Sequence, residues 1–211
     1  MPKTFEQIKS EMVRGARVKR RRTKTPVILA FIGVSGAGAS TLAKAFSKIL
    51  GWSVVEKNKI RVKLREEGKG FTPQKTDQIH YAMLAKVLKS GGNAICDSDF
   101  VEKPKRKKLE RFAKKFGARV LYLRLFCDRD VMFSRMLKSK YDPKKDIFKS
   151  AAVAVREHSR RLLWHYRWSE ANGGSFKPKK LPIKFFAEIN TADSKAWQKK
   201  VRLLAKRLKR F

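Results

Sequence analysis

The chain has 211 residues, with 53 Lys or Arg against 18 Asp or Glu, a formal charge of +35. That length suits one α/β domain with a substantial core. No apolar run approaches the ~20 residues of a membrane span, and the start lacks a secretory-signal pattern, so the expected location is cytoplasmic. Cys96 and Cys127 sit in apolar, strand-like runs and read as buried thiols, and no Cys/His spacing suggests zinc.

The basic excess is densest at 17–24, 103–115, 177–184 and 195–210. Such a surface attracts polyanions, so RNA or DNA is a candidate partner. The competing reading is a compositional bias without a dedicated partner, because no aromatic-basic recognition motif accompanies the charge.

In chain order, residues 1–25 read as a basic helix or arm with Phe5, Ile8 and Met12 on one face, ending at Thr25-Pro26. The β-branched run Val27-Ile28-Leu29-Ala30-Phe31-Ile32 predicts a strand. It enters Gly33-Val34-Ser35-Gly36-Ala37-Gly38-Ala39-Ser40-Thr41, and residues 42–50 form good helix sequence. Strand, glycine-rich turn and helix are the setting of a phosphate-binding P-loop, G-x-x-x-x-G-K-[ST]. Gly33 and Gly38 have its spacing, and Gly36 adds a further turn residue. Consecutive backbone N–H groups over 33–41 (Ser35, Ala37 and Thr41 among them) can form an anion nest at the helix N-terminus. Ser40 offers a hydroxyl to Mg²⁺, but Ala39 stands where the lysine should be. The alternative is a tight turn that holds no ligand.

Residues 52–56 predict a second strand and 58–67 a charged helix. Thr72-Pro73 is a strong helix start, with Ile79, Met83 and Val87 at helical spacing as far as Gly91-Gly92. Residues 93–97 read as a strand ending in Asp97, and 103–116 as a helix with Leu109, Phe112 and Phe116 inward. Residues 118–126 are the clearest strand of the second half, and Asp128 caps a helix carrying Arg135. Within 139–182 a helix over 150–164 is expected, then a polar loop around Asn172-Gly173-Gly174. Trp164, Tyr166 and Trp168 either stack bases or, as the preferred reading, pack on the core. His80, His158 and His165 form no cluster and read as structural or solvent-facing. A strand over 183–189 and a helix over 193–210, with Trp197, Val201 and Leu204 inward, complete an alternation that implies a parallel, covered sheet.

The order of landmarks resembles the small P-loop kinases of the polynucleotide-kinase and zeta-toxin type, often labelled AAA-domain or ATPase proteins. The similarity covers residues 27–138, and the last strand and helix also fit. Asn58-Lys59-Ile60-Arg61 matches a segment Asp-x-Ile-Arg, whose Asp takes the acceptor's proton and whose Arg holds its phosphate or sugar. Phe71-Thr72-Pro73 matches a helix start, and Asp97-Ser98-Asp99-Phe100 a strand ending in Asp. Arg135 matches a lid arginine that reaches the phosphates of ATP. The resemblance implies a three-layer P-loop NTPase fold, with five parallel strands in the order 2-3-1-4-5, and ATP with Mg²⁺ as ligands. It implies a domain over 26–211 after the 1–25 arm, with a lid and insert at about 128–182. Its activity would be phosphoryl transfer to a hydroxyl of a nucleotide, a nucleic-acid end or a small molecule. Against turnover stand Ala39 and Asn58, since an amide cannot take a proton and general-base help is typically worth ~10²–10⁴. Hence the alternative of a non-catalytic module that binds nucleic acid. Asn58 also reads as a helix N-cap, Asp97 as a Mg²⁺ ligand through water or a cap, and Asp99 as a loop carboxylate. Arg61 and Arg135 could equally lie on solvated helix faces, and Lys57 and Lys59 are candidate substitutes for the missing lysine.

Overall fold

The computed structural model describes residues 3–19, 23–142, 144 and 146–211, without the side chain of Asn172; Arg20, Arg21 and Arg22 of the first basic run lie outside them. In order the elements are α1 (Phe5–Gly15), β1 (Val27–Ile32), α2 (Ala39–Leu50), β2 (Ser53–Glu56), α3 (Lys57–Glu66), α4 (Pro73–Lys89), β3 (Ala94–Asp97) and α5 (Lys103–Lys114). There follow β4 (Arg119–Phe126), α6 (Arg129–Lys138), α7 (Ala151–His165), β5 (Tyr166–Ser169), β6 (Ser175–Pro178), β7 (Ala187–Asn190) and α8 (Ser194–Leu208).

Five strands form one parallel sheet in the order β2-β3-β1-β4-β7. This is the expected 2-3-1-4-5 order, because β5 and β6 pair only with each other. Every residue of β1 is buried, the signature of a strand covered on both faces. Val27, Leu29 and Phe31 pack with Leu42, Ala43 and Phe46 of α2 and Val201, Leu204 and Leu208 of α8. Ile28, Ala30 and Ile32 face the other way, onto Leu84, Val87 and Leu88 of α4 and Leu109 and Ala113 of α5. Strand alternation thus sorts one apolar run into two cores and three layers. A third cluster seats Ile8 of α1 on Ile60, Leu64 and Ile79, with Phe5 and Met12 beside it.

Local signals set several boundaries. Thr72 caps α4 through the Lys75 amide, with proline in the first turn. Asp128 accepts from the Asp130 amide, and Ser150 caps α7. Three expectations need correction. The last strand begins at Ala187, not 183, because Leu181, Ile183 and Phe185 pack onto the α4–α5 core, and sheet pairing starts only after the Phe186 amide meets Tyr122 O at 2.8 Å. The expected polar loop around Gly173-Gly174 is the turn of the β5–β6 hairpin. Both glycines there have positive φ, and a Cβ on Gly174 would lie 2.3 Å from the Trp168 ring. Finally, only Tyr166 of the three aromatics is in the core; Trp164 and Trp168 are 45% and 48% exposed. All three histidines are buried, and so are both free cysteines. Among the described residues no helix is long and apolar enough to cross a membrane.

Candidate functional site

The chain leaves β1 at Ile32 and turns over Gly33–Gly38 into α2, at the C-terminal edge of the sheet, where open α/β sheets place ligands. A Cβ on Gly33 would lie 2.9 Å from Leu125 O, so the loop can cross β4 only as glycine. Gly36 and Gly38 have φ of 86° and 88°, the left-handed region that disfavours a side chain. Around Gly36 space is also short, with Met132 Cβ 3.1 Å from the point a methyl group would occupy; at Gly38 the nearest atom is 3.7 Å away, so backbone strain alone demands glycine there.

Three loop carbonyls are held from outside the loop, while Val34 O accepts from the Ala37 amide within it. His158 Nδ1 donates to Ser35 O at 2.7 Å, Arg135 Nη1 to Gly36 O at 3.5 Å, and Thr191 Oγ1 to Ala37 O at 3.0 Å. A carbonyl only accepts, so the His158 proton sits on Nδ1; burial holds this imidazole below its ordinary pKa. The N-cap of α2 is Gly38, which has no side chain to satisfy the first-turn amides, and those amides carry the positive end of the helix dipole. Ala39 opens the helix and packs partly on the core, with no donor to offer.

Ser40, exposed in the first turn of α2, lies beside Asp97 at the end of β3, where its hydroxyl favours the ionised carboxyl. Burial first, and Glu56 second, hold the Asp97 carboxyl above the usual range, while Ser40 opposes them. Glu56 is level with Asp97 in the sheet and is bound by Lys59 at 2.6 Å. Thr41 and Arg135 meet across an open cleft of about 750 Å³, lined also by Asp130, Val131, Ser134, Lys138 and Ser139. The Arg135 guanidinium also donates to Thr191 Oγ1 at 3.2 Å and to Thr191 O, so it lies against the loop after β7.

Asn58 and Arg61 share a face of α3, and Arg61 Nη1 donates to Asn58 Oδ1 at 3.1 Å. Asn58 is exposed and caps nothing; the N-cap of α3 is Glu56, two residues earlier, because β2 runs straight into the helix. Burial, then the nearby Arg161, depress the Arg61 pKa. Lys57 is buried, bound to Asp77 at 2.6 Å and set over the Phe100 ring. Lys57 and Lys59 therefore each already hold a carboxylate.

Sequence reasoning missed a cluster beside the loop. Asp99 is no ordinary loop carboxylate: its side chain is only 10% exposed. Oδ1 accepts from the amides of Gly33 at 3.4 Å and Val101 at 3.1 Å, and Oδ2 from Arg161 at 2.9 Å and His165 Nε2 at 3.0 Å. The available signal was His158, Arg161 and His165 recurring at helical spacing on one face of α7. What they face could not be read from spacing.

A family model described as an AAA domain matches residues 28–161. No curated protein sequence matches significantly. Among solved structures, a provisionally named kinase from Chloroflexus aurantiacus shares 19% identity at a TM-score of 0.58, over 85% of this chain and 98% of that one. The Mycobacterium tuberculosis APS kinase, solved with AMPPNP and APS, shares 14% at 0.56, over 87% and 98%. Shikimate kinase of Bacteroides thetaiotaomicron shares 15% at 0.50, over 86% and 98%. At these identities the superpositions show a shared fold, and the matched family model, which spans more than half of the sequence, shows that the chain belongs to the AAA domain family.

Proposed function

We propose that the chain binds a nucleoside triphosphate with Mg²⁺ on the 33–41 loop, in the frame of a phosphotransferase of the polynucleotide-kinase and zeta-toxin type whose turnover is impaired. The observation that carries this reading is the loop itself. Its carbonyls at Ser35, Gly36 and Ala37 are tied to His158, Arg135 and Thr191, while the start of α2 is left without a side-chain cap. That is a preorganised anion cradle. The Ser40 hydroxyl and the Asp97 carboxylate are adjacent hard oxygen donors, which fits Mg²⁺ held directly or through water.

Bound ATP·Mg²⁺ would supply the transferable γ-phosphoryl group and neutralise its charge. The loop amides other than Gly33, which is bound to Asp99, and Ala37, which is bound to Val34 O, would orient the phosphates, and Arg135 would turn from Thr191 toward them. Arg61 would hold the acceptor, and Asn58 beside it could accept a hydrogen bond but not a proton. Without the lysine at Ala39 one charge-stabilising donor is missing, typically ~10²–10³ in rate. Calorimetric titration of ATP·Mg²⁺ into protein freed of nucleic acid tests the reading. Weak binding that Gly38→Val abolishes is expected, and no heat at millimolar ATP would reduce the loop to a turn.

The charge of +35, together with Ala39 and Asn58, favours a second reading, in which the frame serves as a nucleic-acid binding module without turnover. Binding would then lose affinity steeply between about 50 and 300 mM salt as counterions are released. A flat dependence in filter binding removes this reading.

A further inference from the structure

On the α4–α5 layer, across the sheet from α2 and its loop, lies a cleft of about 300 Å³ lined by Tyr81, Lys108, Arg111, Phe112 and Lys115. Lys108, Arg111 and Phe112 come from α5 and Lys115 is its C-cap, at positions i, i+3, i+4 and i+7, so they share one helix face. Phe112 is the middle of three rings in contact: its centroid is 4.9 Å from that of Tyr81 and 5.0 Å from that of Phe116. Lys108 Nζ lies 5.1 Å above the Tyr81 ring and is fixed there by Asp77 at 2.5 Å. Arg111 and Lys115 are exposed, and among the described residues neither has a carboxylate at ion-pair distance. Aromatic rings beside exposed cations suit a ligand that is planar in one part and anionic in the next. Nucleic acid has that pattern, and a base can reach the rings only from a single strand, because a duplex stacks its bases on each other. The cleft has room for one base, not for a helical groove.

We propose that this cleft is a single-stranded nucleic-acid site, with one base packed against the Phe112 ring, which stands at 55° to the Tyr81 ring that Lys108 covers, and the flanking phosphates on Arg111 and Lys115. It shares no residue with the 33–41 loop, so it operates whether or not nucleotide binds there. It also gives the diffuse basic charge one preferred place of contact.

The test uses the full chain, freed of nucleic acid and without ATP, and a fluorescein-labelled single-stranded 12-mer of mixed sequence read by anisotropy. An abasic oligomer of equal length should bind at least about 5-fold more weakly to the native protein, the low end of one base–aromatic stack. The exposed pair R111E/K115E should weaken the 12-mer about 10-fold or more and lower the log–log salt slope by about 2, as two phosphate contacts are lost. K195E/K199E, on exposed positions of α8 with the same charge change, should cost less than about 3-fold, because long-range attraction alone is reduced. Phe112→Leu should weaken the 12-mer about 5-fold while leaving inorganic polyphosphate binding unchanged. Equal loss in the two charge-reversed pairs would overturn the site in favour of general polyanion attraction. Equal affinity for normal and abasic oligomers would overturn stacking and leave an acidic partner as the occupant. Both measurements stand even if Phe112→Leu fails to fold, since neither needs a core substitution.

Discussion

Asp99→Asn separates the two sides of one carboxylate. Asparagine keeps an oxygen for the Gly33 and Val101 amides but places an NH₂ where Oδ2 now accepts from Arg161 and His165. Flipping the amide merely moves the donor–donor conflict to the other pair. Two hydrogen bonds to a charged acceptor at about 1.5–3 kcal/mol each set an upper bound of about 6 kcal/mol. Arg161 is 28% exposed and has Glu102 at 3.8 Å as a second partner, which recovers part. We therefore expect a net loss of about 2–4 kcal/mol, tempered by solvent screening at Arg161. At about 2–4 °C per kcal/mol for a chain of this length, melting should fall by roughly 4–16 °C. Circular dichroism at 222 nm gives the midpoint, and a cycle with Arg161→Met should show coupling of about 1–2 kcal/mol. A fall below about 2 °C, with no coupling, would refute the reasoning and make Asp99 a solvated carboxylate after all.

Gly38→Val should cost at least about 1–3 kcal/mol from its left-handed backbone, since an added Cβ meets nothing closer than 3.7 Å, and a melting curve will show it. Combining Ala39→Lys with Asn58→Asp should raise labelled-phosphate release at least ~10²-fold over the native chain, a bound set by the donor alone. A folded, ATP-binding double variant that stays inert with every hydroxyl acceptor would end the dormant-kinase reading. Asp97 offers a pH test with a definite sign. Its folded-state pKa is raised, so the ionised form is penalised by folding, and stability declines as pH rises from the ordinary ~3.9 through the raised value. Without Mg²⁺ or nucleotide, Asp97→Asn should therefore melt above the native chain at neutral pH, with the gap closing toward pH ~4. A lower midpoint at neutral pH would show that the carboxylate is stabilising as it stands.

How much of this was legible beforehand depended on range along the chain. The strand–loop–helix at 27–50, the caps at Thr72, Asp128 and Ser150, and the end of β3 at Asp97 all follow from local chemistry. A β-branched run, a glycine's φ and a hydroxyl cap act within a few residues, so sequence alone determined them. The five-strand order was an expectation from resemblance, and the structure supports it. What holds the loop was not legible. His158 reaches Ser35 across 123 residues and Thr191 reaches Ala37 across 154, and neither distance leaves any periodic trace. The run from Ile183 looked like strand, yet Leu181, Ile183 and Phe185 cover the other core, because a period of two states only that one side is apolar. Lys57 reads as a candidate substitute for the missing lysine until α4 supplies Asp77, and Phe112 reads as inward until α4 and α5 dock and leave it lining a cleft. Local propensity drew the elements; the docking of their faces decided which charges are paired, which carbonyls are held and which rings remain open, because those contacts exist only once distant segments share a surface.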